Sequence, residues 1–175
     1  NSLSNKNTVF FVVRAWNIFW SNWSVVKLFY NQIKNSIPLT ITDYDMKRFY
    51  ISVEEIVNLI MFWFHNSIWW EIFVPKCDVL SLKEILDIIV TLYWNWKENI
   101  KQIWKRKWEK TNEILISNNE IENTYIANDD YFIIDYLGKN LIKKEKVNFY
   151  EYSTKDFSWD IDYKKIKEII LNIFN

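Results

Sequence analysis

The apolar positions of the chain fall into short runs set apart by polar stretches. Val9 to Arg14 (VFFVVR) is continuous, apolar and β-branched, the pattern of a strand buried on both faces. Val25 to Ile33 has helical spacing, with Val26, Phe29, Tyr30 and Ile33 on one side. Leu39 to Thr42 and Phe49 to Ile51 are strand-like pieces around the turn residues Asp43, Tyr44 and Asp45. Ser52 with Glu55 forms a capping-box pattern opening an apolar helix to about His65, and Ser81 with Glu84 opens another to about Leu92. EIFVP, ending at Pro75, reads as a strand, as do Ile100 to Ile103 and Tyr131 to Ile134. Tyr163 to Phe174 predicts a terminal amphipathic helix. Lys139 to Asp156 is lysine-rich and weakly periodic, and reads as a long surface connection.

Strands alternating with helices predict an α/β fold. The 175 residues suffice for one ordinary domain with a core. Basic and acidic residues number 22 each, which argues against a dedicated nucleic-acid binder or a polybasic membrane anchor. One cysteine and one histidine exclude a disulfide framework and His-rich or Cys-based metal sites. No run of about 18 apolar residues is free of charges or amides, so no membrane span is expected. The chain opens on Asn1, has no signal-peptide pattern, and reads as a fragment.

Glycine changes the picture. At an average usage of about 7%, roughly 12 would be expected; the chain has one, and 11 tryptophans. Turns that need φ > 0 lack their usual residue. The tryptophans stand in the wrong places for a core. Trp16, Trp20 and Trp23 punctuate one polar loop, Trp69 and Trp70 are adjacent before a strand, and Trp104 and Trp108 bracket Lys105, Arg106 and Lys107.

With glycine read at the loop tryptophans, the segments Arg14 to Val25, Ile41 to Phe49, Trp69 to Lys76, Arg106 to Glu113 with Ile116–Ser117, and Asn123 to Ile133 form an ordered series. That series resembles the C-terminal half of nucleotide-sugar 4,6-dehydratases. The likeness is nearest to the inverting UDP-N-acetylglucosamine 4,6-dehydratase group of the extended short-chain dehydrogenase/reductases. The family patterns are R-Y-G-N-V-x-G-S-x-G-S-V, I-T-D-x-x-M-T-R-F, G-G-E-I-F-V-P-K, R-P-G-E-K-L-x-E and N-T-x-x-x-x-D-D-Y-Y-x-I. Here Lys47 replaces threonine, Lys107 replaces proline, and Thr111 replaces leucine. Seven tryptophans (16, 20, 23, 69, 70, 104 and 108) fall on or beside family glycines. A UGA codon read as glycine in the cell but translated here as tryptophan would account for that coincidence.

The resemblance implies the last part of a Rossmann-type sheet over residues 1–36, a sugar-nucleotide-binding α/β subdomain over 37–138, and a C-terminal extension with a helix over 139–175. It implies NAD(P), held mostly by an N-terminal half carrying the glycine-rich turn and the catalytic Tyr-x-x-x-Lys pair. No catalytic or metal-binding residue is expected within this chain, and Ala15 and Trp16 would offer the cofactor backbone only. The Tyr30 to Lys34 stretch has the Tyr-x-x-x-Lys spacing but reads as a surface helix. A UDP-sugar is the implied partner, with Arg48 and Arg106 on the diphosphate, Glu109 on the ribose hydroxyls and Asn17 on the proximal sugar. Forked guanidinium donors suit a diphosphate, and only Arg14, Arg48 and Arg106 supply them among 22 basic residues. Arg14 reads as a brace for the fold. A cytoplasmic homo-oligomer is implied for the whole enzyme. His65 reads as a helix-terminal residue, Cys77 as a packed thiol, and Asp129–Asp130 as a turn. Alternatives are a dehydratase that also epimerises C5, a membrane-anchored relative, a Trp-rich interfacial or carbohydrate-binding module, and a nonfunctional remnant.

Overall fold

The computed structural model describes residues 8–22, 24–93, 99–139, 145–157 and 162–174. In chain order these form β1 (Val12–Val13), α1 (Val25–Lys34), β2 (Leu39–Ile41), β3 (Lys47–Tyr50), α2 (Val53–Asn66), β4 (Ile72–Pro75), β5 (Asp78–Ser81) and α3 (Leu82–Leu92). Then follow β6 (Ile100–Gln102), β7 (Ile114–Ile116), a 3-10 turn over Asn118–Asn123, β8 (Thr124–Ile126), β9 (Tyr131–Ile134), β10 (Glu145–Lys146), β11 (Tyr152–Ser153) and α4 (Tyr163–Phe174). The architecture is α/β, as the alternation predicts.

Two compact units alternate along the sequence: residues 1–15, 53–76 and 114–153 make the first, and residues 16–52, 77–113 and 154–175 the second. The first unit carries a five-stranded sheet in the order β1-β4-β9-β8-β10. Among the described strands of this sheet, β1 and β4 pair in parallel, with Val12 opposite Ile72 and Val13 opposite Phe73, and the other pairs are antiparallel. Helix α2 inserts Leu59 and Trp63 against Phe73 and Ile133, and the Trp63 indole stacks on the Phe73 ring at 3.7 Å.

The second unit has its own core, in which Val26 and Phe29 of α1, Leu39 and Ile41 of β2, Ile85 and Ile89 of α3, and Ile166 and Ile170 of α4 are all buried. These positions recur at helical or alternating spacing, so the pattern read from the sequence is the pattern that packs. Ser81 and Glu84 form the expected reciprocal cap of α3: the Glu84 amide donates to Ser81 Oγ at 3.1 Å, and the Ser81 amide to Glu84 Oε2 at 2.7 Å. Strands β2 and β6 pair in parallel, and β3 and β5 antiparallel.

Of the stretch expected to be a surface connection, residues 140–144 lie outside the described residues, and the end of the remainder differs from the expectation. Tyr152, Ser153 and Thr154 are buried, and β11 pairs antiparallel with β7. The Tyr152 ring packs on Phe132 at 5.1 Å. A two-residue strand has no periodicity to detect, so its lysine-rich flanks masked it. Ser117 and Glu120 form a further capping box of the S-x-x-E kind, which the reading of the sequence passed over. Cys77 is a buried free thiol, and His65 lies in the last turn of α2.

Among the described residues, four other than glycine have φ between +20° and +160°: Asn17 (29°), Trp20 (65°), Ser36 (55°) and Trp70 (57°). Two of these are among the seven loop tryptophans. A Cβ is strained there. Trp104 and Trp108 extend into solvent, 97% and 77% exposed, and Trp23 lies outside the described residues.

Candidate functional site

A cavity of about 530 Å³ opens within the second unit. Its walls come from the loop before α1, from α1 itself, from β2 and β3, and from the segment after β6. Local sequence explains each placement. Ser24 caps α1 by accepting the Lys27 amide at 3.2 Å. The bend before it is fastened to the end of β3 by the Phe19 amide, which donates to the Ile51 carbonyl at 3.0 Å. The Phe19 ring stacks on Tyr50 at 4.9 Å. Helix α1 is joined to β2 by Gln32: its Nε2 donates to Thr40 Oγ1 at 2.7 Å, and its Oε1 accepts the Thr40 amide at 3.2 Å.

Asn17, Arg48, Arg106 and Glu109, the four residues expected to bind substrate, all line this cavity. Ala15 and Trp16 are not among its lining residues. Sequence reasoning did not single out Lys27, Asn31, Thr40 and Thr42, which also line it; the helical face of Lys27 and the alternation of LTIT were the signals available.

The three arginines have different duties. Arg14, in the first unit, is consumed by a bidentate pair with Glu120 (2.9 and 2.8 Å) and by the Leu115 carbonyl at 3.0 Å. It braces β1 against the capping turn, as expected for a strand-end arginine. Arg48 places Nε 3.2 Å from Glu113 Oε1 and donates from Nη1 to the carbonyls of Lys47 and Thr111, and from Nη2 to that of Lys110. It therefore clips the segment that carries Arg106 and Glu109 onto β3. The Lys47 amide adds a bond to the Thr111 carbonyl at 3.0 Å.

Arg106 is exposed, and its guanidinium makes no hydrogen bond or ion pair among the described residues. It sits in a tight turn where the Glu109 amide donates to its carbonyl at 3.0 Å and its own amide donates to Glu109 Oε2 at 3.1 Å. Lys105, beside it, ties that segment to Asp43 at 3.1 Å and to Thr111 Oγ1 at 2.7 Å. The lysine holds the Asp43 carboxyl below its ordinary value. Lys27 adds a third cation, its Nζ resting 2.7 Å from Asn22 Oδ1 and 5.5 Å above the Trp20 ring.

Lys27, Arg48 and Arg106 thus face the cavity with Glu109 as the one carboxylate among the lining residues. The arrangement suits a ligand with two negative charges and hydroxyl groups. Guanidinium and ammonium take the anion, while Glu109 accepts from hydroxyls. Glu113, bonded to the lining residues Asn17 and Arg48, has its carboxyl pushed up from its ordinary value by burial, against the opposing pull of those two partners. Among the described residues no cluster of histidine, cysteine, aspartate or glutamate is placed to hold a metal. No described helix is long and apolar enough to cross a membrane.

The family model described as polysaccharide biosynthesis protein matches residues 1–135. A Rickettsia bellii protein named UDP-glucose 4-epimerase is 31% identical over 172 residues, covering 95% of this chain and 50% of that protein. A Methanocaldococcus jannaschii protein named as an uncharacterized membrane protein is 32% identical over 174 residues, covering 96% and 51%. Among solved structures, that of Pen from Bacillus thuringiensis superposes with a TM-score of 0.79 at 29% identity, covering 98% of this chain and 51% of the other. The chain spans about half the length of the relatives it matches.

Proposed function

We propose, from the premise that the chain belongs to the polysaccharide biosynthesis protein family of extended short-chain dehydrogenase/reductase type, that its second unit is the nucleotide-sugar-binding part of a sugar-modifying enzyme. The ligand is UDP-N-acetylglucosamine and the reaction 4,6-dehydration. One observation carries the reading: Asn17, Arg48, Arg106 and Glu109, drawn from three separate stretches of sequence, converge on one cavity. Arg106, with its free donors, takes the diphosphate. Glu109 accepts from the ribose, and Asn17 reaches the proximal sugar.

NAD(P) would supply hydride acceptance and return. We assign its phosphate cradle to the N-terminal half of the whole enzyme, which carries the glycine-rich turn in the resemblance drawn above. In this reading the oxidising chemistry belongs to residues outside this cavity, and this part contributes recognition.

A second reading is 4-epimerisation, favoured by the name borne by the Rickettsia bellii relative. Incubation of the native protein with UDP-N-acetylglucosamine, followed by mass spectrometry, separates the two. A 4,6-dehydratase yields a product one water lighter; a 4-epimerase yields an isomer of unchanged mass.

The loop tryptophans enter the same proposal. Positive φ at Trp20 and Trp70 and the scarcity of glycine support reading these positions as glycine in the protein the cell makes.

A further inference from the structure

We infer that Glu113 is the positioning residue of the cavity, a single carboxylate that sets Asn17 and Arg48 together for a bound sugar nucleotide. The inference rests on the reading of the cavity as a UDP-sugar site. Glu113 Oε2 accepts from Asn17 Nδ2 at 2.9 Å and from the Phe49 amide at 3.3 Å, while Oε1 faces Arg48 Nε at 3.2 Å. Both side chains of the ion pair are 13% exposed. The Glu113 backbone is itself pinned, its amide donating to Thr154 Oγ1 and its carbonyl accepting the Thr154 amide, each at 2.9 Å.

The chemistry of the pair follows from what a carboxylate can do. It only accepts, so Asn17 must turn its amide nitrogen toward Glu113. That fixes the orientation of the amide and leaves Oδ1 as an acceptor for a ligand hydroxyl. Arg48, held through Nε and bonded to three carbonyls, keeps one terminal N–H on Nη2. Glu113 therefore makes Asn17 a reader of hydroxyls and Arg48 a clip with one donor to spare. Glutamine at position 113 would present both a carbonyl and an amide, and either face of Asn17 would then fit.

The test is a binding cycle on the native protein, with UDP-N-acetylglucosamine as the titrant and E113Q, N17A and the double variant compared. Each single change is expected to weaken binding about tenfold, and the double to lose little more than the worse single, since coupled residues do not add. Losses that simply add, or E113Q binding as the native protein does, overturn the role of Glu113 while leaving the cavity a UDP-sugar site. A native protein that binds no uridine nucleotide overturns both. Where E113Q does not fold, the native protein still decides by nuclear magnetic resonance. A protected, well-separated Asn17 side-chain NH2 pair supports the inference, and a freely exchanging one overturns it.

Discussion

Arg14 and Glu120, 106 positions apart, meet fork to fork, with Nη1 2.9 Å from Oε2 and Nη2 2.8 Å from Oε1. The same carboxylate accepts from the Ser117 amide at 3.0 Å and from its hydroxyl at 2.9 Å. One side chain thus closes a capping turn and anchors a strand. Burial acts to raise the Glu120 carboxyl, but Arg14 and Ser117 outweigh it and hold it at about 2.

The sign of the acid response follows. The folded carboxyl is lowered from 4.5, so its stabilisation is complete above the unfolded value and is lost as pH falls from about 4.5 toward 2. Glu120→Gln should cost about 1–3 kcal/mol at neutral pH, allowing for partial exposure. It should also flatten the loss of stability in that window. Urea unfolding of both proteins across pH 2 to 6 (about the span of the transition) checks it; parallel curves would refute it.

Arg106 and Arg48 should separate cleanly. Arg106→Ala removes an unpaired guanidinium and should leave the melting temperature unchanged while weakening UDP binding by about 2 kcal/mol, roughly 30-fold. Arg48→Ala leaves Glu113 buried without its cation and should cost about 3–5 kcal/mol of stability. Calorimetric binding and thermal melts, measured side by side, distinguish the two.

Lys27 is a long-range contributor rather than a fork. Lys27→Met should weaken UDP binding about threefold to tenfold and leave uridine binding unchanged, because a point charge attracts the diphosphate and not the nucleoside. The loss should shrink in high salt. Equal weakening of both ligands would assign Lys27 to shape instead.

Peptide mass spectrometry of the natively produced protein across Phe64 to Lys76 should find glycine at positions 69 and 70. A chain made with all 11 tryptophans should lack a sharp cooperative melt, since side chains at φ > 0 cost about 1–2 kcal/mol each. Tryptophan at those positions would end the recoding account.

The helices and the longer strands were legible because burial follows a period. Tyr163–Phe174 coincides with the predicted terminal helix, and Tyr131–Ile134 with its strand. The four expected cavity residues could be named from motifs, yet nothing in one dimension showed that Arg48 spends its donors on carbonyls 62 and 63 positions away. Glu113 closes the very motif that contains Arg106 and Glu109. Its partnership with Asn17, 96 positions upstream, exists only after folding. Tyr152 escaped for a different reason: burial of a two-residue strand is decided by Phe132 and β7, not by its neighbours in sequence.

The two units alternate along the sequence, with the chain passing from one to the other between residues 15 and 16, 52 and 53, 76 and 77, 113 and 114, and 153 and 154. No single stretch of the gene encodes either one. An internal deletion that removes a whole segment of one unit also removes the chain that connects two segments of the other. A change confined to one unit is therefore made by substitutions in separate stretches of the chain rather than by replacing one continuous segment.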